Sequence, residues 1–200
     1  MGILDVWDVG IDELDDIVEA NPSLRGFLFG YVSEYKLRKM WFSDERLAGV
    51  TKYNNHDRTR KGDITFIHKG AEVNVEVKSL QTGSIRKMVD KYTARFQCDA
   101  SDRREVSLPN GERLETTCLV VGDFDLLAVN LFDFEKKWRF AFARNTDIPR
   151  SRYKKYTPEQ RQHLLATLIN IAWPLESPFS PEPFHLLDEI VEEKKRTKQG

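Results

Sequence analysis

Two short runs of alternating residues meet at His68-Lys69-Gly70, and no other segment restricts the fold of this chain as tightly. Gly62-Asp63-Ile64-Thr65-Phe66-Ile67 reads as one strand and Ala71 to Lys78 as the next. The glycine between them suits a tight turn. Val73, Val75 and Val77 share one face of the second strand, while Glu72, Asn74, Glu76 and Lys78 share the other. A two-residue turn at Lys69-Gly70 sets His68 opposite Ala71 and, counting outward, Asp63 opposite Glu76, with their Cβ atoms roughly 4.5–5.5 Å apart. Lys78 then falls on the face of Glu76, roughly 6.5–7 Å along the strand. A three- or four-residue turn would shift this register.

Two carboxylates opposed on a sheet repel each other. A divalent cation removes the repulsion, and hard oxygen ligands with retained water suit magnesium. Such an ion polarises a phosphodiester and helps to generate hydroxide. A nearby lysine would orient or deprotonate the attacking water, or neutralise the phosphorane. The purely structural alternative is an exposed sheet face on which Lys78 balances two acids. Other acidic-x-Lys triplets occur, as at Glu34-Tyr35-Lys36 and Glu135-Lys136-Lys137, but only Glu76-Val77-Lys78 ends a valine-alternating strand after a hairpin.

Asp63, followed after twelve residues by Glu76-Val77-Lys78, resembles the core motif of the PD-(D/E)xK nuclease superfamily, the restriction-endonuclease-like fold. The resemblance implies an α/β domain with a mixed central β-sheet flanked by helices, and covers the chain from the Ser23–Trp41 helix to about residue 143. It implies that Asp63 and Glu76, with the backbone at Val77, bind magnesium (Mg2+), for which manganese (Mn2+) substitutes, and that Lys78 is the catalytic lysine. The implied activity is that of a metal-dependent endonuclease on DNA, of the type II restriction kind. Because one site cuts one strand, double-strand cleavage implies a homodimer. A repair or recombination nuclease acting on branched or damaged DNA is the alternative within the fold, and a non-catalytic nucleic-acid-binding domain the alternative outside catalysis. Gly62 stands where the motif name has proline. Some members add a glutamate from the preceding helix, here Glu34. It falls on a stripe with Phe27, Tyr31 and Trp41, where a carboxylate needs either the metal or a basic partner such as Lys78 or Arg38. Members also use glutamines nearby, and Gln81 and Gln97 are the candidates. Arg58, Arg60 and Lys61 precede Asp63 where a substrate approaches.

Around the hairpin the pattern predicts a helix over Ser23–Trp41, started by Pro22 and Ser23, with Leu24, Phe27, Leu28, Tyr31, Val32 and Tyr35 on its buried face. Thr51 to Arg60 reads as a loop. Ile85, Met88, Val89, Tyr92 and Phe96 predict a helix over 84–98, on which Arg86, Lys87, Lys91 and Arg95 either track a phosphate backbone or form a solvated face. Pro109-Asn110-Gly111 marks a turn, and Thr116–Val121, Asp125–Phe132 and Trp138–Ala143 read as strands. Thr157 as N-cap and Pro158 at the first position predict a helix to about Ala172. Residues 1–173 read as a single domain with its core about 23–143, and 174–200 as a Pro-rich extension with a short helix over Phe184–Lys195.

With 200 residues, 40% hydrophobic and 32% charged, the composition is globular rather than disordered. No apolar stretch approaches the length of a membrane span. Met1–Ala20 carries seven acidic residues and no basic one, the reverse of a targeting segment, so the expectation is a soluble, cytoplasmic protein. The net charge of -1 gives no nucleic-acid signal by itself. Arg144 to Arg161, however, holds six basic residues against Asp147 and Glu159, and a segregated basic surface binds phosphate even on a neutral protein. That segment and the 99–115 loop are the expected DNA contacts. Cys98 and Cys118 are too few for a disulfide framework or a four-cysteine metal site and read as core residues.

Overall fold

A computed structural model describes residues 1–52 and 62–199, with the side chains described as far as residue 197. The chain opens with α1 (Ile3–Trp7), α2 (Ile11–Ala20) and α3 (Pro22–Leu37), and α3 runs into a wider π turn over Arg38–Phe42. Strands β1 (Leu47–Lys52), β2 (Ile64–His68), β3 (Ala71–Ser79), β4 (Arg86–Lys87), β5 (Tyr92–Gln97), β6 (Asp99–Ser107), β7 (Arg113–Cys118), β8 (Leu126–Asn130) and β9 (Phe140–Arg144) follow. The chain closes with α4 (Pro158–His163), β10 (Leu168–Trp173) and α5 (Phe184–Gln199). No described helix is long and apolar enough to cross a membrane.

The principal sheet has the order β1-β2-β3-β8-β9, with β3 and β8 parallel and the other pairs antiparallel. This is the mixed α/β architecture with a mixed central sheet that the sequence leads one to expect. Alternation in β8 explains its two-sided burial. Leu126 and Ala128 face a core with Leu37 at the end of α3, Phe42 just after it, and Leu186, Leu187 and Ile190 of α5, whereas Leu127 and Val129 face Phe96, Ile169 and Ile171. Helices therefore cover one face. The other is covered by a second sheet, β10-β5-β4, and β6 and β7 form a separate hairpin.

The second sheet corrects two expected helices. The 84–98 segment forms β4 and β5, and the predicted Thr157–Ala172 helix stops at His163 before β10 begins at Leu168. Thr157 does cap α4, accepting a hydrogen bond from the Gln160 amide, with Pro158 at the first position. Beyond it, β10 pairs with β5 over the whole run from Leu168↔Gln97 to Trp173↔Tyr92. Ala94 and Phe96 of β5, with Ile169 and Ile171 of β10, enter the core at a period of two. The expected 99–115 loop is a hairpin, β6 and β7, closed at the turn around Asn110-Gly111.

The face of α3 expected in the core is largely exposed: Phe27 is 72% exposed, and Leu24, Leu28, Tyr31 and Tyr35 also face out. The buried positions are Ser33 and Leu37, and Phe29 seats on Phe132 and Trp138 with ring centroids 5.8 and 5.9 Å away. The residues after 174 pack on the domain, because α5 buries Leu187 and Val191 completely and Phe142 bonds the backbone of Ser180.

Candidate active site

The turn at Lys69-Gly70 has φ of 47° and 81°, the pair of positive angles that a two-residue hairpin needs, and it sets His68↔Ala71 through Ile64↔Val75 in the expected register. Asp63 stands one residue beyond the last pair, at the lip of the strand. Its amide donates to the Val75 carbonyl at 2.8 Å, and its Oδ2 accepts a hydrogen bond from the Val77 amide at 2.7 Å. The carboxyl group is thus fixed beside Glu76 rather than left to wave in solvent.

Gly62 supplies the approach. Its φ is +83°, and a Cβ built there would meet the Val75 carbonyl oxygen at 3.0 Å. Proline, locked near −65°, cannot adopt that angle. The departure from the motif name therefore has a local cause: here the backbone reaches Asp63 through a left-handed glycine.

Glu76 and Lys78 project from β3 on the side opposite Val73 and Val75. The Lys78 ammonium bonds Glu76 Oε1 at 2.7 Å and donates to the Asp99 carbonyl at 3.2 Å, and both side chains are mostly buried. Burial, reinforced by the charge on Glu76 and relieved only in part by the Val77 amide and Lys78, raises the Asp63 pKa to about 7. Burial pulls the Lys78 pKa down, but Glu76 and Asp63 outweigh it and the net shift is upward. Lys78 rests as an ammonium ion.

Glu34 reaches the same site, close enough to add to the repulsion on Asp63. Its partner is neither Lys78 nor Arg38 but Lys52 at the end of β1, which also lies 4.1 Å over the Tyr31 ring. Sequence reasoning missed Lys52 and the Asp99 carbonyl. Both come from other elements, and Lys52 ends β1 within the Thr51–Arg60 stretch expected to be a loop, so no local pattern marked it.

The remaining candidates disperse. The Gln81 amide bonds the Arg95 carbonyl and caps a turn, and Gln97 is exposed at the end of β5 rather than on a helix. Arg86 and Lys87 form β4, and Lys91 pairs with Glu176 at 2.5 Å. Arg58, Arg60 and Lys61 lie outside the described residues, as does most of the Thr51–Arg60 segment. The 144–161 cluster splits: Arg144 is held by Asp147, Glu189 and Glu193, whereas Arg152 is exposed. Cys98 is fully buried and burial pushes its thiol up to about 12, so it is protonated core rather than a nucleophile.

The donor set suits a hard cation: the carboxylates of Asp63 and Glu76 and the Val77 carbonyl offer oxygen atoms, and the raised Asp63 pKa reflects burial first and the neighbouring Glu76 charge second. Among the described residues no three His, Cys, Asp or Glu side chains form a ready-made cage. Water would complete the shell, as magnesium ordinarily requires.

No protein-family model matches the chain, and no curated protein matches it. Among solved structures, a bacterial homing endonuclease aligns over 68% of this chain and 84% of its own, at 16% identity and a TM-score of 0.32.

Proposed function

We propose that this chain is a magnesium-dependent endonuclease of the PD-(D/E)xK type that hydrolyses DNA phosphodiester bonds, of the restriction kind and acting as a homodimer. One observation carries the reading: Asp63, Glu76 and Lys78 converge at the lip of the central strand, where burial and the charge on Glu76 raise the cost of ionising Asp63 and the lysine bridges Glu76 to the backbone. A burial pattern selected only for stability would not gather two carboxylates whose charges oppose each other.

Asp63, Glu76 and the Val77 carbonyl would hold the cation, which when bound polarises the scissile phosphate and acidifies a water molecule. Asp63 is oriented for this by the Val77 amide and Gly62. Lys78, as an ammonium ion, donates a hydrogen bond to the attacking water and offsets the charge that develops on the phosphorane. The proton acceptor in this scheme is a group other than Lys78 as long as Glu76 holds the ammonium charged. Glu34 and Lys52 form the back wall.

A homodimer has surface to form on. Trp7, Ile11, Ile17, Leu24 and Phe27 of α1–α3 expose an apolar face, and a second copy of the chain is the occupant that supplies the second cut.

The test is cleavage of a plasmid and of a branched DNA by wild type and Lys78→Ala, in magnesium and in EDTA. Discrete magnesium-dependent fragments, lost in the variant, support the restriction reading. Cleavage confined to the branched substrate moves the assignment to repair or recombination. Metal-independent DNA binding without cleavage of either substrate rejects the catalytic reading.

A further inference from the structure

A cleft lies away from the candidate catalytic residues, on the outer face of the second sheet. It has a volume of about 950 Å³ and is lined by Arg86, Lys91, Arg95, Arg150 and Arg152, with Glu176 the one carboxylate among the described residues of its walls. Alternation along the two central strands explains the floor. Ala94 and Phe96 with Ile169 and Ile171 point into the core, so Arg95 and its cross-strand partner Asn170 point out.

We infer that this cleft is a phosphate-backbone groove for duplex DNA, distinct from the reacting centre and contiguous with it through the chain. The charge is the first ground. Among the described residues, Lys91 alone of the five cations is paired with an acid, at Glu176. Arg86 spends its hydrogen bonds on the Gly83 and Ile85 carbonyls, and Arg150 on the Ile148 and Thr146 carbonyls. Those carbonyls fix the two guanidinium groups in place without cancelling their charge, which is the preorganisation a phosphate site requires. Arg95 and Arg152 make no ion pair among the described residues and stand exposed.

Shape is the second ground. The groove is partly open to solvent and its walls mix five basic side chains with apolar ones such as Leu168 and Pro178, so a long polyanion can lie along it. Tyr153, 53% exposed on the wall, packs edge-on against Tyr156 with centroids 5.5 Å apart and presents a hydroxyl and a ring to a sugar-phosphate chain.

Connectivity is the third. Beyond Lys78 the chain runs directly along the edge of this sheet: Leu80 bridges Phe96, the Gln81 amide bonds the Arg95 carbonyl, and the Ser84 hydroxyl bonds the Arg95 backbone. A duplex held by the groove is therefore tied by a few residues of backbone to the strand that carries the candidate lysine.

The groove deepens the nuclease reading but is tested apart from it. Anisotropy of a labelled duplex DNA is measured with full-length Lys78→Ala in EDTA, where no cleavage occurs, across 50 to 200 mM salt, with and without the added pair Arg95→Ala/Arg152→Ala. Two lost phosphate contacts lower the slope of log K against log[salt] by about 1.8, so the affinity ratio between the two proteins shrinks about twelve-fold over that range. Unchanged thermal unfolding of the added pair confirms that both arginines were free surface groups, and Arg113→Ala, on β7, leaves the slope unchanged. Equal slopes and affinities with and without the added pair overturn the groove, even if the wild type cuts DNA. The expected slope change together with no cleavage by the wild type leaves the groove standing and removes the nuclease. Preference for a duplex RNA of the same length overturns the assignment to DNA.

Discussion

Asp63→Asn should stabilise the metal-free protein, and more so as pH rises. The carboxyl ordinarily titrates near 3.8 and is raised to about 7 in the folded chain by burial and by Glu76. Because the folded pKa lies above the unfolded one, the native state binds more protons between the two values, and stability falls as pH rises through that window. At about 1.4 kcal/mol per unit, the ionised acid costs the fold about 4 kcal/mol at pH 8 and about 2 kcal/mol at pH 5. The amide is isosteric, carries no charge, and keeps an oxygen to accept the Val77 hydrogen bond. Urea unfolding of wild type and variant in EDTA at pH 5 and pH 8 should therefore show the variant more stable at both, with a gap that widens by about 2–3 kcal/mol at the higher pH. Magnesium should narrow the gap, since a ligand present at a hundred times its Kd stabilises the wild type by about 2.7 kcal/mol while the variant has lost a ligand. A gap independent of pH, or a variant less stable at pH 8, would refute the claim that burial beside Glu76 raises the cost of ionising Asp63.

Gly62→Ala should destabilise by about 1–2 kcal/mol through its positive φ and the Val75 carbonyl, and should cut activity further by shifting Asp63; paired stability and cleavage measurements separate the two, and full activity would sink the positioning role. Glu34→Gln removes one partner of a largely buried ion pair and should cost about 2 kcal/mol, between the exposed and fully buried limits. If Glu34 also contributes to the cation field, that variant should need more magnesium for half-maximal cleavage, whereas an unchanged magnesium requirement assigns it to structure alone. Asp188→Ala strips the fully buried His68 of its 2.7 Å contact from α5 and should lower stability by about 1–3 kcal/mol, read as a shift in the urea midpoint.

Legibility in the sequence followed the distance between interacting residues. The hairpin and its Glu76–Lys78 face could be read because everything that decides them lies between Gly62 and Lys78: a turn able to take two positive φ angles, a valine alternation, and a register counted outward from the turn. The start of α4 was equally local, set by Thr157, Pro158 and Gln160. Asp63 was read as a neighbour of Glu76, yet its reach to the Val77 amide depended on the left-handed Gly62, which the motif comparison treated as a lost proline.

Tertiary structure decided the rest. Tyr92–Gln97 and Leu168–Trp173 carry apolar residues compatible with helical spacing, and only the ladder between them, spanning more than seventy residues of chain, makes both into strands. The buried stripe of α3 is set by where Phe132 and Trp138 meet Phe29, not by where its apolar residues are densest. Lys52 finds Glu34 across eighteen residues of chain, and Arg150 and Arg152 join Arg86 and Arg95 across more than fifty. By itself the sequence determined a short-range device, two acids and a lysine on one hairpin face. Where that device is buried, what neutralises it and which basic side chains share a groove were decided by packing. Side chains far apart in the chain gain their electrostatic and hydrophobic energies only once the backbone has brought them together.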